Sequence, residues 1–587
     1  MFKIFKRLKR KEIILILISI VFIVIQVFLN LRLIDYMAEI TTLVQTPGSE
    51  LNEIIREGLW MMACALGSLV SAFVVSYCAA IVSASVAKNL RKNVFQKVND
   101  FGMEEIKSFS TGSLITRSTN DIRQVSTFVF MSVQLLVQSP LMAIMAIMKI
   151  YDKGWEFTLT TVVGVGVILI TVIIMIIVVL PKFNRIQKLT DELNKVTKEN
   201  LNGIRVVRAF NAEKYQTDRF EDANDILTKD TLFTHKAFAF LFPLITAVML
   251  GVTLATYWIG AYLINDAAIY ERVGIFSNMI VFSSYAMQVI SSFLMLVMIF
   301  ILYPRSQVSA NRINEVLDKE IRIKNGTVLN GKKGKKGTVQ FKKVSFQYPD
   351  AESPILKDIS FDVKQGQTVA FIGSTGSGKS TLINLIPRFY DCTSGEIIID
   401  GVNVKDYDIN YLNDKIGYIP QKATIFKGSI KDNVSFGKKT DGVVTFDDVK
   451  TGVEVAQGKD FVENLKDQYD HELASGGTNV SGGQKQRLSI ARAIARNPEI
   501  YIFDDTFSAL DYKTDLSLRT ALKKHTKEAT IFIVAQRIGT IKDADLIIVL
   551  DEGYCVGKGR HDELMKSCEV YKEIALSQLS QEELDNA

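Results

Sequence analysis

Six long apolar runs in the first half of the chain constrain its fold more than any other feature. Each has 22 or more residues, enough for a helix rising 1.5 Å per residue to cross about 30 Å of hydrocarbon. Six buried helices of a large soluble core are the alternative, but consecutive runs this long and nearly free of charge predict membrane spans. The runs are approximately Ile13–Ile34, Leu59–Val86, Phe128–Ile150, Thr158–Leu180, Ala237–Ile264 and Val273–Leu302.

The distribution of Lys and Arg between these runs predicts their orientation. Segments 1–12, 87–127 and 181–236 hold 24 Lys and Arg, whereas segments 35–58, 149–157 and 265–272 hold 4. Basic loops stay in the cytoplasm, so we expect a multi-pass plasma-membrane protein with its N-terminus and C-terminal half cytoplasmic. The two long inner loops have helical periodicity, and their polar turns at Thr119–Ile122 and Ala212–Tyr215 are predicted docking points for a soluble domain.

The interior of the spans limits the kind of transport that the chain can perform. No Asp, Glu, Lys or Arg lies in the middle of a run, which argues against a proton-coupled carrier. The runs instead carry Met, Gln and aromatic side chains, such as Met142, Gln288 and Trp258. These suit varied amphipathic small molecules, although ordinary helix packing explains any one of them.

Composition excludes several other classes. The five Cys form no CxxC pair and the four His no HExxH motif, which excludes a disulfide scaffold, a Cys-based zinc site and a zinc protease. A net charge of +6 is too small for a dedicated nucleic-acid binder, so we expect no nucleic-acid partner.

A change in composition and hydrophobic pattern after Leu302 predicts a second domain. We place the transmembrane domain at residues 1–320, a basic linker at 321–337 and an α/β domain at 338–587. Short β-branched runs alternate there with helical patterns, which is typical of a largely parallel sheet. The predicted strands are Val369–Ile372, Ile397–Ile399, Ile500–Phe503, Thr530–Val534 and Leu546–Leu550.

The first of these strands leads into a P-loop, GxxxxGK[ST], followed by a helix from Thr381. Backbone N–H groups of such a loop wrap phosphates; Lys379 would reach the β- and γ-phosphates, and Ser380 would hold Mg²⁺. Asp504 ends a later hydrophobic strand, where a second Mg²⁺ ligand belongs. A Gly-rich helix entry at Ser481–Gln484 suggests another anion site, though alone it is usually only a turn. The predicted nucleotide-binding residues of this loop and helix are Gly373, Ser374, Thr375, Gly376, Ser377, Gly378, Lys379, Ser380 and Thr381.

Together these motifs resemble the ATP-binding cassette (ABC) family, in the half-transporter layout of its exporters. The resemblance implies an all-α transmembrane domain of six long helices followed by an α/β P-loop nucleotide-binding domain. It implies ATP and Mg²⁺ as ligands, a lipid bilayer and a dimer in which ATP lies between one P-loop and the other chain's signature. By resemblance Tyr348 stacks on adenine, Gln421 joins Mg²⁺ to the membrane domain and Ser508–Asp511 is the D-loop. The resemblance makes the signature Ser481, Gly482, Gly483 and Gln484.

Two departures from the family pattern bear on catalysis. The family's general base, a Glu after the Mg²⁺-binding Asp, is Asp505 here, and its switch His is Gln536. An Asp carboxylate is one methylene short, and Gln cannot carry positive charge; both changes should weaken hydrolysis without preventing ATP binding. The pattern resembles the degenerate subunit of a heterodimeric bacterial exporter, whose partner half-transporter carries the consensus Glu and His.

Three functions remain open from the sequence. The first is a subunit of a heterodimeric ATP-driven exporter of drugs or other amphipathic compounds. The second is a homodimeric lipid flippase, which requires Asp505 and Gln536 to suffice for hydrolysis. The third is a nucleotide-gated regulator with little hydrolysis, although no ring of charge that could select ions is found in the runs.

Overall fold

The computed structural model describes residues 1–46, 48–151, 155–437 and 442–578. The chain divides into two compact units. The N-terminal unit comprises Met1–Asn99 and Phe109–Lys319, and the C-terminal unit comprises Asp100–Ser108 and Glu320 onward.

The N-terminal unit is helical throughout. Among the described residues, six of its helical stretches are long and apolar enough to cross a membrane, which confirms the six predicted spans. Several helices exceed 45 residues, so they continue well past the apolar runs, as the periodicity of the inner loops predicts. The helices from the N-terminus to the boundary are α1 Phe2–Phe5, α2 Arg10–Gln45, α3 Leu51–Asn99, α4 Met103–Ser108, α5 Thr111–Ser118, α6 Asn120–Tyr151, α7 Trp155–Asn202, α8 Ile204–Ala209, α9 Glu213–Asp266 and α10 Ile269–Asp318.

The long helices pack in pairs, α2 against α3, α6 against α10 and α7 against α9. Asp35 of α2 joins three of them, because it accepts hydrogen bonds from Tyr285 of α10 (2.5 Å) and Lys149 of α6 (2.8 Å). The Met and aromatic side chains singled out above divide between two environments. Met142 is buried in the helix core, whereas Trp258 is exposed on the unit's surface.

The helix α4 belongs to the C-terminal unit, although the chain reaches it between two spans. The Glu105 carboxylate is 1% exposed and accepts hydrogen bonds from the backbone N–H groups of Gly102 (2.9 Å) and Arg322 (3.1 Å). Glu104 forms an ion pair with Arg322 at 2.5 Å. The turn at Thr119–Ile122 belongs to the N-terminal unit, and its docking to a soluble domain stays a prediction.

The C-terminal unit is α/β. Its elements are β1 Val339–Phe346, β2 Leu356–Val363, β3 Thr368–Gly373, α11 Lys379–Asn384, β4 Ser394–Ile399, β5 Val402–Asn403, α12 Ile409–Asp414, β6 Ile416–Ile419, β7 Gly428–Ser429, α13 Ile430–Val434, α14 Phe446–Val455, α15 Lys459–Glu463, β8 Glu472–Leu473, α16 Gly482–Ala495, β9 Ile500–Asp504, α17 Tyr512–His525, β10 Thr530–Val534, α18 Ile538–Ile541, β11 Leu546–Asp551, β12 Tyr554–Gly559, α19 His561–Ser567 and α20 Glu569–Leu576.

The described residues form a central six-stranded sheet in the order β12-β11-β3-β10-β9-β6, parallel except for the edge strand β12. A second, antiparallel sheet has the order β2-β1-β4-β5. The predicted strand Ile397–Ile399 lies in this second sheet and not in the parallel one. Ile397 and Ile399 of this strand are buried in a hydrophobic core, and a short apolar run does not indicate strand direction.

The parallel register sets the position of the site. Val534 lies opposite Asp504 on one side, and Phe371 is its partner on the other. Loops that follow β3, β9 and β10 therefore leave the sheet at the same edge, where ligands of open α/β sheets bind.

Candidate nucleotide-binding site

The loop between β3 and α11 contains three glycines with positive φ, and at two of them a side chain would also collide with neighbouring atoms. Gly373 has φ +153° and Gly378 has φ +97°. A Cβ on Gly373 would lie 1.9 Å from the Leu550 carbonyl oxygen, and one on Gly378 2.7 Å from Leu356 Cδ2. The loop is therefore shaped by the sheet behind it and keeps its backbone close to β11.

Lys379 folds back over this loop. Its Nζ donates hydrogen bonds to the carbonyl oxygens of Gly373 (2.9 Å) and Ser374 (2.7 Å). Burial lowers the pKa of Lys379, and the nearby carboxylates of Asp505 and Asp504 oppose that shift. The ammonium is thus a half-buried cation beside the loop, suited to a phosphate.

Ser380 and Asp504 are 124 residues apart in sequence and in direct contact in the fold. The Ser380 hydroxyl donates to Asp504 Oδ1 at 2.8 Å, and the Tyr418 hydroxyl donates to Oδ2 at 3.3 Å. Burial raises the pKa of Asp504, while the two hydrogen bonds act in the opposite direction. A hydroxyl beside a carboxylate is the kind of oxygen set that Mg²⁺ takes, so these residues fit the ion.

Asp505 brings two further predicted residues together. Its Oδ2 accepts hydrogen bonds from the side-chain amides of Gln536 (2.7 Å) and Gln421 (3.0 Å). The carboxylate is buried, and its backbone has φ +47°, a conformation that costs a non-glycine residue free energy and is found often at functional sites. The Asp505 backbone N–H donates to the Val534 carbonyl oxygen at 3.0 Å, which ties the end of β9 to the end of β10.

Tyr348 lies beside the P-loop helix. Its hydroxyl is 3.2 Å from Thr381 Oγ1, and its ring meets Tyr390 edge-on at 5.3 Å between centroids. The Lys107 ammonium of α4 lies 4.5 Å from the Tyr348 centroid and 5.3 Å from that of Tyr390. The pKa of Lys107 is raised, mainly by a hydrogen bond to Tyr390. A charged lysine therefore lies against both tyrosine rings.

The residues Ser481–Gln484 form the start of α16. Ser481 Oγ accepts from the Gln484 backbone N–H (3.3 Å), and Gln484 Oε1 accepts from the Ser481 N–H (2.8 Å). This reciprocal capping box fixes the helix entry. Ser481 and Gln484 bond each other, whereas the P-loop side chains bond groups at the ends of β3 and β9.

Two family models match the chain: "ABC transporter transmembrane region" over residues 13–293 and "ABC transporter" over residues 356–508. An ABC transporter ATP-binding protein of Mycobacterium bovis is 37% identical over 537 residues, which is 89% of each chain. YfiB of Bacillus subtilis, also an ABC transporter ATP-binding protein, is 34% identical over 91% of each chain.

The chain belongs to the ABC transporter family.

A Staphylococcus aureus relative, provisionally named a multidrug export ATP-binding/permease protein, is 33% identical over 86% of each chain. A bacterial Atm1-family ABC exporter solved with ATP bound shares the fold, with a TM-score of 0.82 and 21% identity over 97% of this chain and 100% of that one. This ABC transporter is accordingly a multi-pass membrane protein whose ATP-binding domain lies on the cytoplasmic side, as the Lys and Arg distribution predicts.

Three residues that contact the site were absent from the sequence predictions. Tyr418 and Tyr390 are aromatic residues near the P-loop and on the strand before Gln421, but no spacing rule marks them. Lys107 lies more than 200 residues before Tyr348, and only the fold brings it there. Family membership suggests ATP and Mg²⁺ as the ligands of this ABC domain.

Proposed function

We propose that this chain is one subunit of a heterodimeric, ATP-driven exporter of drugs or other amphipathic compounds. It holds ATP at its own P-loop with little hydrolysis and lends its signature, Ser481–Gln484, to the P-loop of a partner half-transporter. The partner carries the Glu and His that this chain lacks.

The observation that carries the proposal is the pairing of Asp505 with Gln536. A general base must present a free carboxylate oxygen within about 3 Å of an attacking water. One of the two carboxylate oxygens of Asp505, Oδ2, accepts from two amide donors. The side chain is also one C–C bond, about 1.5 Å, shorter than that of Glu, so it reaches less far toward the water. A displacement on this scale can cost about 100-fold in rate.

The second departure from the family pattern, Gln536, further weakens ATP hydrolysis at this site. Its amide is neutral at every pH, so it neither accepts the water's proton nor supplies a positive charge where charge develops on the phosphate oxygens. Its side-chain nitrogen donates to Asp505 Oδ2 at 2.7 Å, so the amide is engaged with the carboxylate that stands where the family has its general base.

The chain has side chains suited to holding a nucleotide. Lys379 and the glycine loop suit phosphates, Tyr348 offers an aromatic face, and Ser380, Asp504 and Gln421 are the oxygen-bearing side chains proposed to hold Mg²⁺. When bound, Mg²⁺ neutralises charge on the phosphates. Tight holding with slow cleavage follows from this combination.

An amphipathic cargo is supported by the membrane unit and by one relative. Large apolar side chains such as Phe240, Phe242 and Trp258 are exposed on the described helices, and they adapt to varied apolar surfaces without fixed hydrogen-bond demands. The provisional name of the Staphylococcus aureus relative gives it a multidrug cargo.

The double substitution Asp505→Glu with Gln536→His tests the proposal. It should raise ATP hydrolysis at this chain's own P-loop by about 10- to 100-fold, measured in a pair whose partner P-loop lysine is replaced. Asp362→Asn, on an exposed strand position, is the matched control and should change nothing. An unmodified chain that hydrolyses ATP briskly when purified alone would instead favour the homodimeric flippase.

A further inference from the structure

Gln578, two residues beyond the end of α20, reaches back to the loop that carries Gln536. The Gln578 side chain accepts a hydrogen bond from the Ile538 backbone N–H at 2.9 Å and donates one to the Gln536 carbonyl oxygen at 2.8 Å. A primary amide has one acceptor oxygen and one donor nitrogen for such a pair. One side chain therefore bridges both ends of the turn from β10 to α18.

Among the residues that the structure describes, neither the Ile538 N–H nor the Gln536 carbonyl oxygen has a backbone hydrogen-bond partner. Ile538 is the first residue of α18, whose preceding residue Arg537 provides no side-chain cap. The first N–H groups of a helix have no acceptor within the helix, and Gln578 supplies one for Ile538. This is the role of a capping side chain, here provided by a residue 40 positions later in the sequence.

The helix that presents Gln578 is firmly placed. Tyr571 and Ala575 of α20 are fully buried in the core that also contains β11 residues. The Tyr571 hydroxyl lies 2.7 Å from His561 Nδ1. Gln578 thus extends from a fixed point on the domain toward a short exposed turn.

Gln536 is consequently held at two places. Gln578 bonds its main chain, and Asp505 accepts from its side chain at 2.7 Å. Because a glutamine side chain loses considerable conformational freedom on being ordered, a fixed main chain lowers the cost of keeping the amide on Asp505.

We propose that Gln578 is a positioning residue: the C-terminal segment clasps the Gln536–Ile538 turn and keeps Gln536 against Asp505, which slows the release of ATP from this chain's P-loop. This inference rests on the proposed function, which assigns the site a holding role. It adds that the holding depends on the C-terminal segment.

The test uses the full-length pair with the partner P-loop lysine replaced, so that only this chain's site is read. Gln578→Ala should speed hydrogen exchange at the Ile538 amide by about three- to tenfold, the range expected for one modest hydrogen bond. It should speed release of labelled ATP by a similar factor. Gln578→Glu can accept from Ile538 but cannot donate to Gln536, so its exchange should stay near that of the unmodified protein while ATP release quickens.

The matched control is Ser577→Ala, which removes a neighbouring side chain whose hydroxyl bonds only to the Ile574 carbonyl of its own helix. It should leave both measurements unchanged. Unchanged exchange in Gln578→Ala would overturn the clasp, and faster exchange with unchanged ATP release would overturn its role in holding nucleotide.

Failure of the proposed function has a different signature. Exchange at Ile538 does not depend on which site hydrolyses ATP. If Asp505→Glu with Gln536→His gave no gain in hydrolysis, the division of labour would be wrong, whereas the exchange and release measurements on Gln578→Ala would still decide the clasp.

Discussion

The buried carboxylate of Asp504 lowers the stability of the folded domain when it is ionised. The proposed binding of Mg²⁺ explains why an acidic residue lies there. Burial raises its pKa, so the ionised carboxylate is less stable here than in water. That cost is present above the raised pKa of the folded state and disappears as pH falls through it. In the Asp504→Asn variant the side chain cannot ionise. Its amide oxygen can still accept the hydrogen bond from the Ser380 hydroxyl.

We therefore expect Asp504→Asn to raise the thermal midpoint of the protein without nucleotide near neutral pH, with the gain shrinking as the pH is lowered. The same change removes a Mg²⁺ ligand, so the further rise on adding ATP and Mg²⁺ should be lost. Thermal unfolding with and without ATP and Mg²⁺ measures both effects. Asp362→Asn, which is exposed, should do neither, and a lowered midpoint for Asp504→Asn would contradict the argument.

Individual site residues could be predicted where local geometry dictates residue type. The P-loop needs glycine at Gly373 because of its positive φ and the closeness of Leu550, and that constraint is visible in sequence. Asp504 could be placed because a hydrophobic strand ends there. The contact of Gln421 and Gln536 with Asp505 could not, because it depends on how three loops meet at the sheet edge.

The helix α4 is held to the nucleotide domain by Glu105 and by Lys107. Lys107→Ala should loosen α4, because it removes the cation above Tyr348 and Tyr390, an interaction of about 0.5–2 kcal/mol. Hydrogen exchange over residues 100–108 should quicken by about two- to thirtyfold. Lys107→Arg keeps a cation for the rings and should restore most of the protection.

Lys92→Ala, at an exposed position of α3, provides the comparison for that experiment and should not alter exchange in α4. Equal exchange in Lys107→Ala and Lys92→Ala would show that Lys107 does not hold the helix, which would leave that role to Glu104 and Glu105. The readout is local and is independent of ATP hydrolysis.

Strands could be predicted from the sequence where all or nearly all of their residues are buried. β3, β9, β10 and β11 are buried along their lengths and read as continuous apolar runs. β1 and β2 alternate between buried and exposed positions, so polar residues interrupt them and they were missed. The position of α4 was also missed, because a six-residue helix has too few turns to show its contact face.

In the proposed dimer, this chain contributes to two ATP sites: its P-loop to one and its signature to the other. It has one P-loop at the edge of the parallel sheet and one signature at the start of α16, each with its own local hydrogen bonds. A single sequence contains no information about the chain that faces it, so the choice between a second copy and a different partner rests on the chemistry of Asp505 and Gln536.

That choice gives the last prediction, an asymmetry between the two sites of the assembled pair. Replacing the partner's catalytic glutamate by glutamine should nearly abolish ATP hydrolysis and transport, because in the proposed pair that carboxylate activates the water that attacks the γ-phosphate at the efficiently hydrolysing site. Asp505→Asn in this chain should reduce turnover by no more than about threefold, since the Asp505 side chain is one C–C bond shorter than that of Glu and already accepts from two amide donors on Oδ2. Steady-state hydrolysis and uptake into inverted vesicles, measured on both variants and on the unmodified pair, make the comparison. Equal losses from the two substitutions would mean that both sites cleave ATP. That result would contradict the ATP-holding role proposed for this chain.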